Sequence, residues 1–481
     1  MEPAAIASSI IFTVLGITIV IGVLAYRLGI KVLRADTYIV AGRALGFIVT
    51  FLNMAAVIYS GFAFLGAAGW AYSYGAPVLY IWVYGALAYT FAFFFAPRIW
   101  SVAKGRNLLT QADFFLWRYN SKLLMTLVAL VGILFNIPYI QLQILTVRYV
   151  LDLSTYGALP SLHLAVLSFL LVVLYVFLGG MVSVAIANVF LGAIMLGAML
   201  GGSLAIIGHY FGGLEGLFRA VAEVSPQHLA FPGAAGIHPV QWFITAAVGC
   251  GLGFWVWPQL AQMVFPARSP RVLRRSVVMT SWYHVLGIIW ASLTGLAAVA
   301  LGIKLAAADQ AFIFLIDKTF GPAALGLIGA AGMAAALSSG AGILLTQASL
   351  CARNLYQQLV KPTASDRELV LVTRISVIVF AAIGAILAYV APAQLVYLLL
   401  VGYAGITQMF PGWVLGSIWK WITREGVLAG LVVGETVVVL TTFVWSNPLG
   451  IHSIVWGLIF NLPLALLISK LTYREAKAPQ G

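Results

Sequence analysis

The sequence predicts an all-α protein that crosses a lipid bilayer many times. Of its 481 residues, 63% are hydrophobic and only 8% are charged, whereas soluble proteins carry about 25% charged residues. The apolar segments recur along the whole chain, and most basic residues fall in the short stretches between them. These observations favour one membrane domain, residues 1–481, over a series of soluble domains.

Thirteen segments are long and apolar enough to cross the hydrocarbon core, which takes about 20 helical residues. The first is expected to be a retained helix and not a cleaved signal peptide, because Glu2 precedes it and Arg27, Lys31 and Arg34 follow it. The predicted spans are residues 4–26, 45–72, 76–97, 121–152, 160–178, 181–209, 240–265, 275–304, 321–356, 367–391, 393–418, 425–445 and 451–470.

The charge of the loops predicts the orientation, since Lys and Arg accumulate on the cytoplasmic side of membrane proteins. With the N-terminus outside and the C-terminus inside, 22 of the 26 Lys and Arg residues fall on the cytoplasmic side. The four exceptions are Arg148, Arg219, Lys304 and Lys318. A missed helix would invert every later loop, so this asymmetry supports thirteen spans. The same rule accounts for the net charge of +13, and no nucleic-acid partner is expected.

The sequence offers no signature of an enzyme. It contains no phosphate-binding loop, no paired His/Cys spacing and no Ser/His/Asp set that the topology would bring together. Its two cysteines, Cys250 and Cys351, lie inside apolar segments and are expected to pack there without forming a disulfide or a metal site. Without a nucleotide-binding domain, secondary transport of a solute is the class of function that remains.

Two predicted helices contain segments that favour a break. Residues 55–61 and residues 246–254 both begin with Ala-Ala-Val and then loosen into glycine and serine. Interrupted helices near the midplane commonly border a substrate cavity. The two segments lie five helices apart, which predicts an inverted repeat of residues 45–209 against residues 240–418, with 1–44 before it and 419–481 after it. Glycine also serves close helix packing, so that interpretation stays open at this point.

Six short motifs occur in order along most of the chain. They are GRALG at 42–46, FLGAAGWAY at 64–72, TQADFF at 110–115, PYIQLQ at 138–143, ARNLY at 352–356 and FPG at 410–412. With these motifs the chain resembles the solute:sodium symporter family and, within it, the monocarboxylate-permease branch. That resemblance implies a LeuT-type fold of five plus five helices, with one helix before the core and two after it.

The resemblance also implies a cation site between the first broken helix and the ninth helix. Sodium prefers oxygen ligands such as carbonyls freed by a break, together with hydroxyls. Buried serines commonly bond the carbonyl one turn back instead, so a purely structural role is the alternative. The implied ligands are the carbonyls of Ala56, Tyr59 and Ala335 and the hydroxyls of Ser338 and Ser339.

One departure from the family pattern concerns the coupling ion. Many members carry an aspartate in the sixth helix, and this chain has Asn188 at that position. An amide brings no charge and takes up no proton, so the coupling ion, Na⁺ or H⁺, stays open. Glu435 and His284 are the titratable groups weighed for proton coupling, and a structural role is the favoured interpretation of both.

The expected substrate site combines the two breaks with nearby polar and aromatic side chains. Free N–H groups at half-helix N-termini suit a carboxylate. Packing or lipid contact is the alternative for the aromatic residues. The residues predicted to bind substrate are Ser60, Gly61, Tyr139, Gln141, Gly251, Trp255 and Gln408, with Trp257 as a further candidate gate.

These observations together predict a cation-coupled carrier of small monocarboxylates such as lactate, pyruvate or acetate. An amino acid (proline-like) or pantothenate symporter on the same fold is the first alternative, and a channel or a membrane sensor is the second. The expected location is the cell membrane. The expected partners are the lipid bilayer and a small-molecule substrate, a monomer suffices, and no cofactor other than the coupling ion is expected.

Overall fold

The computed structural model describes residues 2–27 and 34–473, and in that part each predicted span coincides with helix. Nine described helices are long and apolar enough to cross a membrane, and three bent helix pairs raise this number to twelve. The segment 160–178 is helical but continues into the next helix. The count of thirteen crossings and the orientation of the termini therefore stay predictions. Lys31, Arg474 and Lys477, which belong to the predicted charge pattern, lie outside the described residues.

The helices are numbered here in chain order. The first half of the chain forms α1 (Pro3–Arg27), α2 (Phe47–Ile58), α3 (Phe62–Tyr74), α4 (Leu79–Gly105), α5 (Gln111–Tyr119), α6 (Lys122–Leu134), α7 (Ile137–Ser154), α8 (Ser161–Phe211) and α9 (Leu214–Val224). The second half forms α10 (Val240–Val256), α11 (Pro258–Val264), α12 (Pro270–Leu286), α13 (Ile288–Ala300), α14 (Ala311–Ser349), α15 (Asp366–Val390), α16 (Leu395–Met409), α17 (Pro411–Ile418), α18 (Arg424–Val444) and α19 (Ser453–Thr472).

Both predicted helices are broken, but the second break lies at Trp257, three residues beyond the predicted segment 246–254, in which residues 246–253 are regular helix. The axes of α2 and α3 differ by 60°, and those of α10 and α11 by 51°. Tyr59 leaves helical geometry at ψ 74°, and Trp257 does so at ψ 127°, because the ring of Pro258 disfavours a helical residue before it. The presence of both breaks, five predicted spans apart, agrees with an inverted repeat.

A third bend was missed by the sequence interpretation. The axes of α16 and α17 differ by 42°, at Pro411 of the FPG motif. A proline inside a helix removes one backbone donor and clashes with the preceding turn, so this motif marks a kink. The sequence interpretation used the motif only as a sign of family resemblance.

Gly180 lies at a sharp kink within α8, where the two predicted spans 160–178 and 181–209 meet. Its backbone has φ 54° and ψ −140°, a conformation that residues with a Cβ rarely adopt. A Cβ at this position would also lie 2.8 Å from Cγ of Tyr38. The chain therefore turns between 160–178 and 181–209 without a loop, which explains why the boundary carries no polar residues.

The short helix α5, which contains most of the TQADFF motif, is largely buried. Its residues 111–115 are all buried, whereas Trp117 remains exposed. The carboxylate of Asp113 accepts hydrogen bonds from the backbone N–H of Leu109 (2.9 Å) and from the side-chain amide of Asn354 (2.9 Å). Arg353 lies 3.4 Å from the same carboxylate. Two of the family motifs, TQADFF and ARNLY, thus meet in one polar cluster that fixes α5 against the end of the ninth predicted span.

Replacing Asp113 by alanine is expected to destabilise the fold. The substitution leaves the buried amide of Asn354 and the N–H of Leu109 without their acceptor, and an unsatisfied buried polar group costs about 1–3 kcal/mol. Thermal unfolding of the purified protein in detergent is expected to shift to lower temperature. Glu223→Ala, an exposed carboxylate on α9, is the control and is expected to leave the transition unchanged. Equal transitions for the two variants would contradict the proposed role of the cluster.

Candidate functional site

The end of α2 brings backbone carbonyls to two serines of α14. The hydroxyl of Ser338 donates to the carbonyl oxygen of Ala56 (2.8 Å) and lies 3.2 Å from that of Ala335. The hydroxyl of Ser339 lies 3.1 Å from the Ala56 carbonyl and 2.9 Å from the Val57 carbonyl. All five residues are buried. Five oxygen atoms from two helices therefore converge where α2 ends.

This cluster fits a monovalent hard cation. Its oxygens are uncharged, and the α2 carbonyls lie at the break, where the following turn no longer supplies regular intrahelical donors. A cation between them would be coordinated by the lone pairs of the two hydroxyls once their protons rotate away. Ser338 also contacts its own helix at Ala335, but both serines reach across to α2, which a purely intrahelical role does not require.

Tyr59, the remaining predicted ligand, directly follows the last residue of α2, and its N–H is bonded to the Ala55 carbonyl at 2.9 Å. Its side chain points away from the serine cluster. The hydroxyl bonds to the hydroxyl of Tyr89 and lies 3.2 Å from the Thr280 carbonyl, and the ring stacks on Tyr283 at 4.7 Å. The structure thus brings Val57 into the cluster, a residue that the sequence prediction did not include.

Asn188 lies close to this cluster, on α8. Its amide donates to Oδ1 of Asn53 at 2.9 Å, and Asn53 precedes Ala56 by three residues on α2. The Oδ1 of Asn188 is buried without a hydrogen-bond partner among the described residues. The position that carries an aspartate in many family members therefore holds a neutral amide pair here, about one helical turn from the serine-bonded carbonyls.

Both breaks border one central cavity of about 30 Å³. A buried water needs roughly 10–15 Å³ by a comparable measure, so the cavity has room for about two waters. Admission of a solute therefore requires movement of the lining helices. None of the lining residues is charged. They are Val57, Ile58, Phe62, Tyr84, Tyr139, Phe254, Trp257, Gln259, Leu260, Leu399 and Tyr403.

Three predicted substrate residues meet at the wall of this cavity. The hydroxyl of Tyr139 donates to Oγ of Ser60 at 3.0 Å. Oγ of Ser60 also accepts from the N–H of Phe62 at 3.2 Å, and Oε1 of Gln143 accepts from the N–H of Gly61 at 3.2 Å. The first N–H groups of α3 are thus held by two side-chain acceptors beside the cavity, at the positive end of a half-helix.

Four predicted substrate residues lie elsewhere. Gln141 donates to the carbonyls of Leu387 (3.3 Å) and Ala391 (2.5 Å) at the end of α15. Gly251 packs against α4, where an added Cβ would lie 3.1 Å from that of Leu87. The indole of Trp255 donates to the Ala88 carbonyl at 3.0 Å, and the amide of Gln408 donates to the Ile454 carbonyl at 3.1 Å. Trp257 lines the cavity where Trp255 was predicted, and Gln143 lies at the break where Gln141 was predicted.

The sequence interpretation missed Tyr84, Gln259 and Tyr403 in the cavity wall. Tyr403 packs edge-on against Trp257 at 5.0 Å. Gln259 is 2% exposed, and its Oε1 has no partner among the described residues. Gln259 follows Pro258, which begins the second half of a broken helix, so its position was a readable signal of a cavity residue.

One end of the fold is packed around two buried residues. The carboxylate of Asp309, between α13 and α14, accepts from the N–H of Leu395 at 3.1 Å, where α16 begins. A Cβ on Gly69 of α3 would lie 2.7 Å from Cα of Asp309. The ring of His238, in the connection between α9 and α10, lies 4.3 Å from the ring of Trp242, and burial lowers the pKa of His238 to about 4. This connection therefore covers α10 with a neutral histidine.

The opposite end is held by Arg43 of the GRALG motif. Its guanidinium donates to the carbonyls of Leu108 (2.5 Å), Ala103 (3.3 Å) and Phe265 (3.3 Å). The next turn of chain pairs Leu45 with the segment after α11, with the N–H of Leu45 bonded to the Pro266 carbonyl at 2.9 Å. The entry to α2 is thus tied to the exits of α4 and α11.

The sequence of the chain is similar to that of a known family of transporters. The sequence model of the sodium:solute symporter family matches residues 38–434. The chain belongs to this family. It is accordingly a multi-pass membrane transporter and not an enzyme.

Individual relatives agree with this membership. An uncharacterized symporter of Bacillus subtilis, YhjB, is 32% identical over 437 residues, which is 90% of this chain and 88% of the relative. A sodium/proline symporter of Staphylococcus aureus is 29% identical and spans 95% of this chain and 91% of its own length. Among solved structures, a Na⁺-coupled sialic acid symporter in an outward-open state superposes with a TM-score of 0.79 at 18% identity, covering 98% of this chain and 99% of that one. That likeness shows the fold alone.

Proposed function

We propose that this symporter takes up small monocarboxylates together with sodium ions by alternating access. The observation that carries this proposal is that both broken helices border one uncharged cavity, directly beside a cluster of neutral oxygens on α2 and α14.

The N-terminus of α3 supports binding of a carboxylate. Its N–H groups at Gly61 and Phe62 are bonded to side-chain oxygens of Gln143 and Ser60. These acceptors can rotate away and yield the donors to a substrate oxygen, and the helix dipole favours a negative charge there. The hydroxyl of Tyr139, which now donates to Ser60, would become a third donor. The apolar wall around Phe62 and Trp257 suits the short hydrocarbon body of the substrate.

The serine cluster supports sodium as the coupling ion. Its members are neutral oxygens, and none of them changes its protonation state near physiological pH. A bound cation would link the end of α2 to α14, and α2 leads directly into the break at Ser60. Occupation of the cation site would therefore fix the geometry of the carboxylate site, which couples the two ligands through one short segment of chain.

Neither group considered for proton coupling faces the central cavity. The imidazole of His284 lies against α4, where a Cβ on Gly85 would come within 2.8 Å of its Cδ2. Glu435 lies on α18, outside the ten-helix core, and its carboxylate is buried without a partner among the described groups. This placement supports sodium over protons.

Proline is the second candidate substrate, favoured by two observations. A relative spanning most of the chain is described as a sodium/proline symporter. In addition, the unpartnered Oε1 of Gln259 in the cavity wall is an acceptor that the secondary ammonium group of proline would use. Pyruvate and acetate have no donor for it, whereas lactate has only its hydroxyl group.

Uptake into proteoliposomes under an inward sodium gradient distinguishes the two substrates. We expect accumulation of labelled pyruvate that lactate and acetate inhibit and proline does not. Accumulation of proline alone would replace the monocarboxylate assignment with the proline one.

Tyr139→Phe is expected to raise KM about tenfold, because one hydrogen bond to a charged group contributes about 1.5–3 kcal/mol. Tyr389→Phe, at an exposed position on α15, is the control and is expected to leave KM unchanged.

A further inference from the structure

A lateral groove of about 640 Å³ lies between α4 and α12. Its volume is in the range of small-molecule binding pockets, about 300–1,000 Å³. The walls are mainly apolar and expose large side chains, with Phe94 71% exposed and Trp282 57% exposed. Both helices are membrane-span candidates, so the groove opens toward the hydrocarbon of the bilayer and not toward water.

One end of the groove is strongly basic. Arg274 lies one turn before Val278 of the groove wall, and its guanidinium is placed over the ring of Phe93 at 5.8 Å. Arg271 and Arg275 are exposed on the same first two turns of α12. The loop before α12 is predicted to face the cytoplasm, whose leaflet carries the anionic lipids. An apolar channel therefore ends at a cluster of cations, which matches the acyl chain and the charged headgroup of an anionic lipid.

The floor of the groove reaches the transport machinery. Tyr89 and His284 both line it. The hydroxyl of Tyr89 bonds to that of Tyr59 at the end of α2, and the ring of His284 lies 5.9 Å from the Tyr59 ring. An occupant of the groove would sit one side chain away from the broken helix, on the side opposite the serine cluster.

We propose that this groove binds an anionic phospholipid. One acyl chain lies between Phe93 and Phe94 of α4 and Val278 and Trp282 of α12, and the phosphate group pairs with Arg274. Charge complementarity selects the anionic headgroup over a zwitterionic one, since one arginine near the surface favours an anionic lipid about fivefold. The site requires neither the monocarboxylate nor the sodium assignment.

Native mass spectrometry of the detergent-purified protein tests this site. With phosphatidylglycerol or phosphatidylcholine of equal chain length added, we expect one retained phosphatidylglycerol, bound about fivefold more tightly than phosphatidylcholine. Arg274→Gln is expected to remove that preference. Ser281→Trp, which places an indole in the groove, is expected to reduce retention of both lipids. Arg219→Gln, on the exposed helix α9, is the matched control and is expected to keep the wild-type preference.

Three results would overturn the proposal. The first is equal retention of the two lipids by the wild-type protein. The second is an unchanged preference in Arg274→Gln, which is a surface substitution expected to fold. The third is displacement of phosphatidylglycerol by glycerol phosphate as effectively as by a second phospholipid, which would show that the cations bind a free phosphate without use of the groove.

Discussion

Replacing Ser338 and Ser339 together by alanine is expected to abolish sodium-stimulated transport. The double substitution removes two of the five oxygens that converge at the end of α2. A hydrogen-bonding group that interacts with a charge contributes about 1.5–3 kcal/mol, and 1.4 kcal/mol corresponds to a tenfold change in affinity. The sodium concentration for half-maximal uptake should therefore rise by about a hundredfold or more.

The matched control for this prediction is Thr346→Val on the same helix. The Thr346 hydroxyl is buried and donates to the Gly342 carbonyl, one turn back in α14, so it represents the purely structural role of a buried hydroxyl. Its loss should leave sodium dependence unchanged. A double serine variant that folds and keeps the wild-type half-maximal sodium concentration would contradict the cation site.

The substitution Gly61→Ala is expected to lower the transport rate at least about tenfold. Gly61 lies at the break between α2 and α3, and an added Cβ would lie 2.6 Å from Cβ of Thr146 on α7. Atoms this close must move apart, which shifts the first turn of α3 and with it the N–H groups assigned to the carboxylate. Misplacement of a binding group by about 1 Å is enough for a hundredfold loss in comparable sites. Uptake normalised to the amount of folded protein measures the effect.

A second-site change separates this steric effect from a general loss of stability. Thr146→Gly removes the side chain that the new methyl group meets, and it should restore part of the transport rate of Gly61→Ala. Gly197→Ala on α8 is the control, since an added Cβ there meets nothing within 4 Å. Failure of Thr146→Gly to restore any activity in a folded double variant would show that the contact with α7 is not the cause.

The sequence predicted the helices and the first break because these depend on local composition. Runs of about 20 apolar residues define the spans, and the loosened segment around Ser60 marks the first break, whereas the second break lies at Trp257, before Pro258, and not at the predicted glycines. The Gly180 junction agrees with the predicted boundary between two spans, which meet there at a sharp kink. The bend at Pro411 was equally readable, since proline inside an apolar helix has one physical consequence.

The orientation of individual side chains was not predictable in the same way. A membrane helix that is hydrophobic on all sides gives no stripe that identifies its inner face. Gln141 and Gln143 lie on one helix two residues apart, and only the structure shows that Gln143 meets the break while Gln141 caps α15. Trp255 and Trp257 differ in the same manner, because the break between α10 and α11 turns only Trp257 into the cavity.

Transport driven by one imposed ion gradient at a time tests which ion is coupled to uptake. Proteoliposomes containing the purified protein receive either an inward sodium gradient at equal pH or an inward proton gradient without sodium, with labelled pyruvate or proline outside. We expect the labelled substrate to accumulate above equilibrium only with the sodium gradient. The variant with Ser338 and Ser339 replaced by alanine should lose that accumulation. Accumulation driven by the proton gradient in the absence of sodium would contradict coupling to sodium.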